Sequence, residues 1–277
     1  NDELQFIPHQ EWKSSISYGL DIFRELESLA YDAKVRSGKA ILETPEVIEY
    51  PETQFYYLKN RNGFFLATKG GHNAESHNHN DIGTFSLYYK QMPIFIDAGV
   101  GTYVRQTFGP ERYSIWTMRS NYHNLPLING IEQKNGTEYK ASNIKFNGKN
   151  KSFSVDISTA YPAEANVNQW IRSYQLNNNK LIIKDNFSLS KTEKANEIHF
   201  MLWGNIDITQ QGKVLIDVQG TKMQLIYNEK EFEPQIETIE LPDTRLSNVW
   251  GKKIYRLTLK AKSLTSKSTY EYKIRPL

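Results

Sequence analysis

From about residue 46 to the C-terminus, apolar residues recur at every second position in one short run after another, with no helical period between the runs. Candidate strands are Gln54–Leu58, Gly63–Thr68, Thr84–Lys90 and Ile94–Asp97. Phe153, Val155 and Ile157 alternate with polar residues, as do Val214, Ile216 and Val218, then Tyr255, Leu257 and Leu259, then Tyr270, Tyr272 and Ile274. Successive strand side chains point to opposite faces, so this period buries one face of a sheet and wets the other. Asn60-Arg61-Asn62-Gly63, Asn135-Gly136, Asn177-Asn178-Asn179 and Gln219-Gly220 supply the turns. Strands that follow one another without helices predict an all-β domain, a large antiparallel β-sandwich over residues 46–277.

The first 45 residues read differently. Ile22, Phe23, Leu26, Leu29, Ala30 and Ala33 recur at three- and four-residue spacing, and Ser37-Gly38 offers a stop. Residues 1–45 are therefore expected to be a short helical lead-in, or a linker from a helical domain that precedes it. The start at Asn1, without an initiator Met or a signal-like apolar core, is read as a processed protein or a piece of a longer one. The longest irregular stretch, Val100 to Asn124, is rich in Gly, Arg, Tyr and Asn. Loops of that length in a compact domain usually carry function or are disordered.

Composition excludes more than it identifies. A net charge of +3 tolerates a polyanionic ligand, but no basic run with interleaved aromatics appears, so a nucleic-acid partner is not expected. With no cysteine, disulfides and thiolate metal sites are excluded. No apolar stretch approaches the length of a membrane-spanning helix.

Four of the six histidines, His72, His77, His79 and His123, fall within 52 residues. The densest segment runs from Gly71 to Asp81 and contains His77-Asn78-His79. Imidazole and carboxylate are natural ligands of zinc, and a His-x-His pair brings two imidazoles close together. Asp97 follows the apolar run Ile94-Phe95-Ile96 and precedes Gly99 and Gly101, a placement suited to a ligand at a strand end. Each of these also has a plainer reading. The histidines can be surface residues held by hydrogen bonds, Asp97 can cap a turn, His72 can simply start the glycine loop, and His9 and His199 read as structural.

Gly71 followed by His77-Asn78-His79 matches the opening of the cupin metal motif. Gly83 and Thr84 stand where its glutamate belongs, so a cupin-like metalloenzyme ranks as an alternative.

The run Ser76-His77-Asn78-His79-Asn80-Asp81, then Phe85, Phe95-Ile96-Asp97-Ala98-Gly99, Trp116 through Asn124 and Leu127-Ile128-Asn129-Gly130 resembles the C-terminal region of the heparinase II/III family of polysaccharide lyases. The resemblance is specific over residues 63 to 133. It implies a sandwich (the supersandwich) that follows an N-terminal (α/α) toroid in the same protein. It implies His79, Asp97 and His123 as zinc ligands and His77 as a catalytic residue facing substrate; since β-elimination needs no activated water, the ion is expected to be structural. Tyr113 and Arg119 fall in the loop that borders the cleft in relatives, which makes them candidate substrate-binding residues. Because i and i+2 of a regular strand face the same way, separate roles for His77 and His79 predict an irregular backbone between them.

The implied chemistry is β-elimination on an acidic polysaccharide or oligosaccharide containing uronic acid, in the periplasm or outside the cell. A base takes the C5 proton and the oxygen at C4 leaves, so the site must neutralise the carboxylate and the charge that develops beside it. An imidazole, with an ordinary pKa of about 6.5, can serve either as acid or as base. The family's tyrosine base lies in the toroid, so the domain alone is expected to carry half a site. A non-catalytic carbohydrate-binding module is the reading from another functional class.

Overall fold

A computed structural model describes residues 45–277. The expected helical stripe from Ile22 to Ala33 lies outside the described residues.

Two large antiparallel sheets face each other. In the first, the strands Val47–Tyr50, Phe55–Lys59, Phe64–Lys69, Phe85–Tyr89, Met92–Phe95, Glu197–Leu202, Lys253–Ala261 and Phe232–Glu240 lie side by side in that order, and the short strand Pro126–Leu127 also pairs with Glu197–Leu202. The second runs Asn205–Asp207, Lys213–Val218, Thr221–Ile226, Lys267–Pro276, Leu181–Leu189, Val167–Leu176, Ser152–Asp156 and Ser142–Asn147. The antiparallel sandwich expected from the alternation is therefore the observed fold, and the small cupin barrel is not.

The alternation does its work where it was legible. Leu181, Ile183, Phe187 and Leu189 are buried on one strand, Val214, Ile216 and Val218 on another, and Tyr270, Tyr272 and Ile274 on a third. Rings from the two sheets interlock across the middle. Phe85 meets Tyr174 at 5.5 Å and Phe200 meets Tyr272 at 5.5 Å between ring centroids. Such pairs add about 0.5–1.5 kcal/mol to the burial of their own area. At the Gln219-Gly220 turn both residues have positive φ, +51° and +90°. That is the geometry a two-residue hairpin needs to match the twist of its strands.

A buried ion pair ties the sheets together. Arg172 and Asp185, neighbours on the second sheet and fully buried, make two parallel hydrogen bonds of 2.8 Å each. The remaining guanidinium nitrogen reaches the carbonyl oxygen of Asn124 at 2.5 Å, on a loop next to the first sheet. The Asn124 side chain donates to the carbonyls of Phe85 at 2.6 Å and Ile96 at 3.0 Å and accepts from the Met201 amide at 2.7 Å. The charged groups of this pair and the Asn124 amide are thus hydrogen-bonded, which is the condition for burying charge.

Candidate functional site

Three segments meet at one end of the first sheet. His79 lies on the loop that joins His72–Asn73 to Phe85–Tyr89, and Asp97 stands two residues beyond the strand Met92–Phe95. His123 ends the stretch from Val100 to Asn124, which is neither strand nor disordered loop. It is a series of four 3-10 turns, Arg105–Phe108, Arg112–Ser114, Trp116–Met118 and Ser120–Tyr122.

One nitrogen or oxygen from each of His79, Asp97 and His123 lies within 4.8 Å of the other two. His123 Nδ1 is 3.1 Å from Asp97 Oδ2, and the rings of His79 and His123 are 5.3 Å apart. His123 is 1% exposed, yet neither of its ring nitrogens has a hydrogen-bond partner in proper geometry. A buried imidazole without partners is costly. The three donor atoms are close enough together to hold one ion between them. Tetrahedral zinc with bonds of about 2.0–2.1 Å sets neighbouring ligand atoms about 3.3 Å apart. The donor set, two imidazoles and a carboxylate, suits the same ion.

The electrostatics agree with this arrangement. Burial pushes the His79 imidazole below its ordinary range, helped by the neighbouring His123. For Asp97, burial works to raise the carboxyl, but His123 beside it holds it well below the usual carboxylate range. For His123, burial works to lower the ring, but the Asp97 carboxylate outweighs it and raises it. Together these shifts favour an uncharged ring at His79 and a charged carboxylate at Asp97, the forms in which either group can donate to a metal ion.

His77 is not in the cluster. Its φ is +59°, left-handed backbone that few non-glycine residues adopt. This is the irregularity that separate roles required. The turn sends the exposed His77 ring away from His79 and against Phe108, edge to face at 5.5 Å between centroids. Arg112 holds the turn from the other side: its Nε and Nη2 donate to the Asn78 carbonyl at 3.0 and 2.8 Å. The Asn80 amide donates to the Met118 carbonyl at 2.9 Å, which binds the same segment to the series of turns.

The remaining candidates are spread around this centre. Arg119 is half-buried and pairs with Glu132, and its guanidinium lies 5.9 Å from the Tyr122 ring. Tyr113 sits half-buried in the turn Arg112–Ser114. His72 Nδ1 accepts from the Ala74 amide at 3.2 Å, a local turn contact. His199 lies buried against Glu197, with 3.3 Å between Nε2 and Oε2. The cupin alternative fails here as well, because the second imidazole comes from His123 and not from His77. Sequence reasoning missed Arg112 and Asn124, the two residues that hold the histidine segment and the His123 loop in place. Nothing local marks an arginine as a clamp for a carbonyl 34 positions away.

Comparison with known proteins adds the family. The sequence profile described as Heparinase II/III-like, C-terminal, matches residues 43–254, well over half of the chain. The chain belongs to this family. A search of curated protein sequences gave no match. Among solved structures, a mutant of the heparan sulfate lyase HepC from Pedobacter heparinus superposes with a TM-score of 0.68 at 19% identity, over 90% of this chain and 39% of that one. A heparinase III gives 0.68 at 17% identity, over 92% and 40%. The family member described here thus spans about 40% of the length of these lyases. A 4-alpha-glucanotransferase from Thermococcus litoralis also shares the fold, with a TM-score of 0.53 at 11% identity over 84% of this chain and 40% of that one. At such identities the likeness establishes the sandwich and not the chemistry done on it.

Proposed function

We propose that this chain is the sandwich part of a polysaccharide lyase that cleaves uronic-acid-containing glycans by β-elimination, and that an N-terminal helical toroid completes its active site. The observation that carries the reading is the divergence of two histidine rings on either side of Asn78. His79 turns inward to Asp97 and His123, and His77 turns outward to open surface. Membership of the heparinase family and the likeness to heparan sulfate lyases support it.

In this reading His77 contacts the uronate. It donates to the carboxylate, or relays a proton, as a base supplied by the helical domain takes the C5 proton and the bonding electrons spread onto the carboxyl group. The C4–O bond then breaks, and the leaving oxygen takes up a proton. His79, Asp97 and His123 would hold zinc, which bonds the loop before Phe85 to the turns that end at His123. β-Elimination needs no activated water, so the ion is assigned a structural role. In this reading the enzyme works in the periplasm or outside the cell, where an acidic glycan can reach it.

The test is turnover by the protein that includes its helical domain, on heparin, heparan sulfate, heparosan and alginate, followed by the ultraviolet absorbance of the unsaturated uronate. His77→Ala is expected to lower kcat about 10²–10⁴-fold, the usual worth of a positioned acid or base. Absence of product on every uronate would remove the lyase reading. Unchanged turnover in His77→Ala, with glycan binding retained, would leave a binding module instead.

A further inference from the structure

Beside His77 lies a patch that the elimination chemistry does not use. Tyr103 is 45% exposed, Val104 50% and Phe108 65%, although all three sit on a well-tied loop. The Tyr103 and Phe108 rings meet edge to face at 5.2 Å, and the His77 ring is 5.5 Å from Phe108 and 6.3 Å from Tyr103. The Arg245 guanidinium lies 4.9 Å from the Tyr103 ring. Among the described residues Arg245 is exposed and forms no ion pair or side-chain hydrogen bond, so its donors face solvent.

The patch is held rigidly. Asp243 caps the helix Thr244–Trp250, accepting from the amides of Arg245 and Leu246 at 2.8 and 3.2 Å through Oδ1. Its Oδ2 accepts from the Thr102 amide at 2.7 Å, next to Tyr103. At the far end of the helix Trp250 Nε1 donates to the Ala98 carbonyl at 3.0 Å. On the other flank Thr107 Oγ1 accepts from the Val104 amide at 2.9 Å. One carboxylate thus fixes both the ring and the cation stacked on it.

Rings left open together on a rigid loop mark a binding surface. Three apolar side chains fall far short of the roughly 20–30 residues a side used by a stable protein interface. They match a sugar ring, whose C–H face packs on an aromatic ring. A guanidinium pre-set by stacking, with its donors free, suits an oxyanion, and Arg105, next in sequence to Val104, is also exposed. We propose that Tyr103, Phe108 and Arg245 form a subsite for the saccharide next to the one at His77, with the rings stacking on the pyranose and Arg245 binding its carboxylate or sulfate group. The subsite rests on the lyase reading for its place in the reaction, but its binding can be measured without turnover.

The test is calorimetric titration of the chain with three hexasaccharides: heparosan-derived (carboxylates only), heparin-derived (carboxylates and sulfates) and maltohexaose (neutral). Both acidic sugars are expected to bind at least about tenfold tighter than the neutral one, a ratio that Arg245→Ala removes together with much of the salt dependence. Loss confined to the heparin-derived sugar would assign the sulfate, and equal loss on both the carboxylate. Phe108→Ala is expected to weaken all three about fivefold and keep their ratio. Both side chains are exposed, so thermal melting should not change. Equal affinities in wild type and both variants would overturn the subsite, as would no binding of either acidic sugar at millimolar concentration. A changed oligomeric state in Phe108→Ala with unchanged sugar affinity would make the patch a protein contact and overturn it too. Failure of the lyase reading looks different: no unsaturated product from the longer protein while the binding pattern holds.

Discussion

Arg112 grips the carbonyl oxygen of Asn78 with two guanidinium nitrogens, at 3.0 and 2.8 Å, and so fixes the peptide between the two histidines. Left-handed backbone at a residue such as His77 costs about 1–3 kcal/mol and persists only where its surroundings over-determine it. Arg112→Ala is therefore expected to cost about 1–3 kcal/mol of stability and to lower turnover by more than it lowers zinc content. Arg112→Lys, which cannot donate in the same forked geometry, should restore little. Turnover and metal content that fall in proportion would show that the clamp serves the cluster and not His77.

Metal loading separates the two histidines. Purified chain is expected to hold about one zinc, as a three-ligand site would. Elemental analysis should find it lost in His79→Ala, Asp97→Ala and His123→Ala and kept in His77→Ala. Chelation should lower Tm in wild type and leave the three ligand variants unchanged. Equal loss in His77→Ala would return that residue to the ligand set.

The same cluster predicts opposite pH slopes with and without metal. In the metal-free chain the raised His123 contributes stability that is complete below about pH 6.5, its unfolded value, and is lost as pH rises through its folded value. The lowered Asp97 contributes above about pH 4 and loses its share only on strong acidification. Zinc must displace the His123 proton, so its affinity and the Tm rise that it causes grow with pH. Zinc binding should release protons that come more from the raised His123 than from the lowered His79, counted by calorimetry in two buffers. Two protons released would show that both rings are charged in the empty site.

The network that carries His123 should be sensitive out of proportion to its distance from substrate. Asp185→Ala leaves the Arg172 guanidinium buried without its carboxylate, and breaking such a pair costs about 3–5 kcal/mol. Denaturant unfolding would measure it. A loss under about 1 kcal/mol would mean that water already reaches the pair.

How much of this was readable in sequence depends on the range of each signal. Buried Val214, Ile216 and Val218 follow from alternation, because strand period is a local property. Asp97 at the end of an apolar run was legible for the same reason, and the order of the motif brought His79 and His123 to it. That His77 leaves the set was expressible only as a demand on the backbone, met by φ at +59°. Arg172 reaching Asn124 across 48 positions, and Arg245 covering Tyr103, are choices of tertiary packing that no spacing encodes. The run of 3-10 turns was hidden too, since short 3-10 pieces follow local hydrogen-bond closure and carry no apolar period.

Seven residues, Asp97 to Tyr103, join a would-be ligand to an aromatic ring, and the helix Thr244–Trp250 with its cap Asp243 pins that span near both ends, at Ala98 and Thr102. Such a strap has little slack. With both ends pinned, an ion drawing on Asp97 would leave the ring where it is, so sugar affinity at Tyr103 should not depend on metal occupancy.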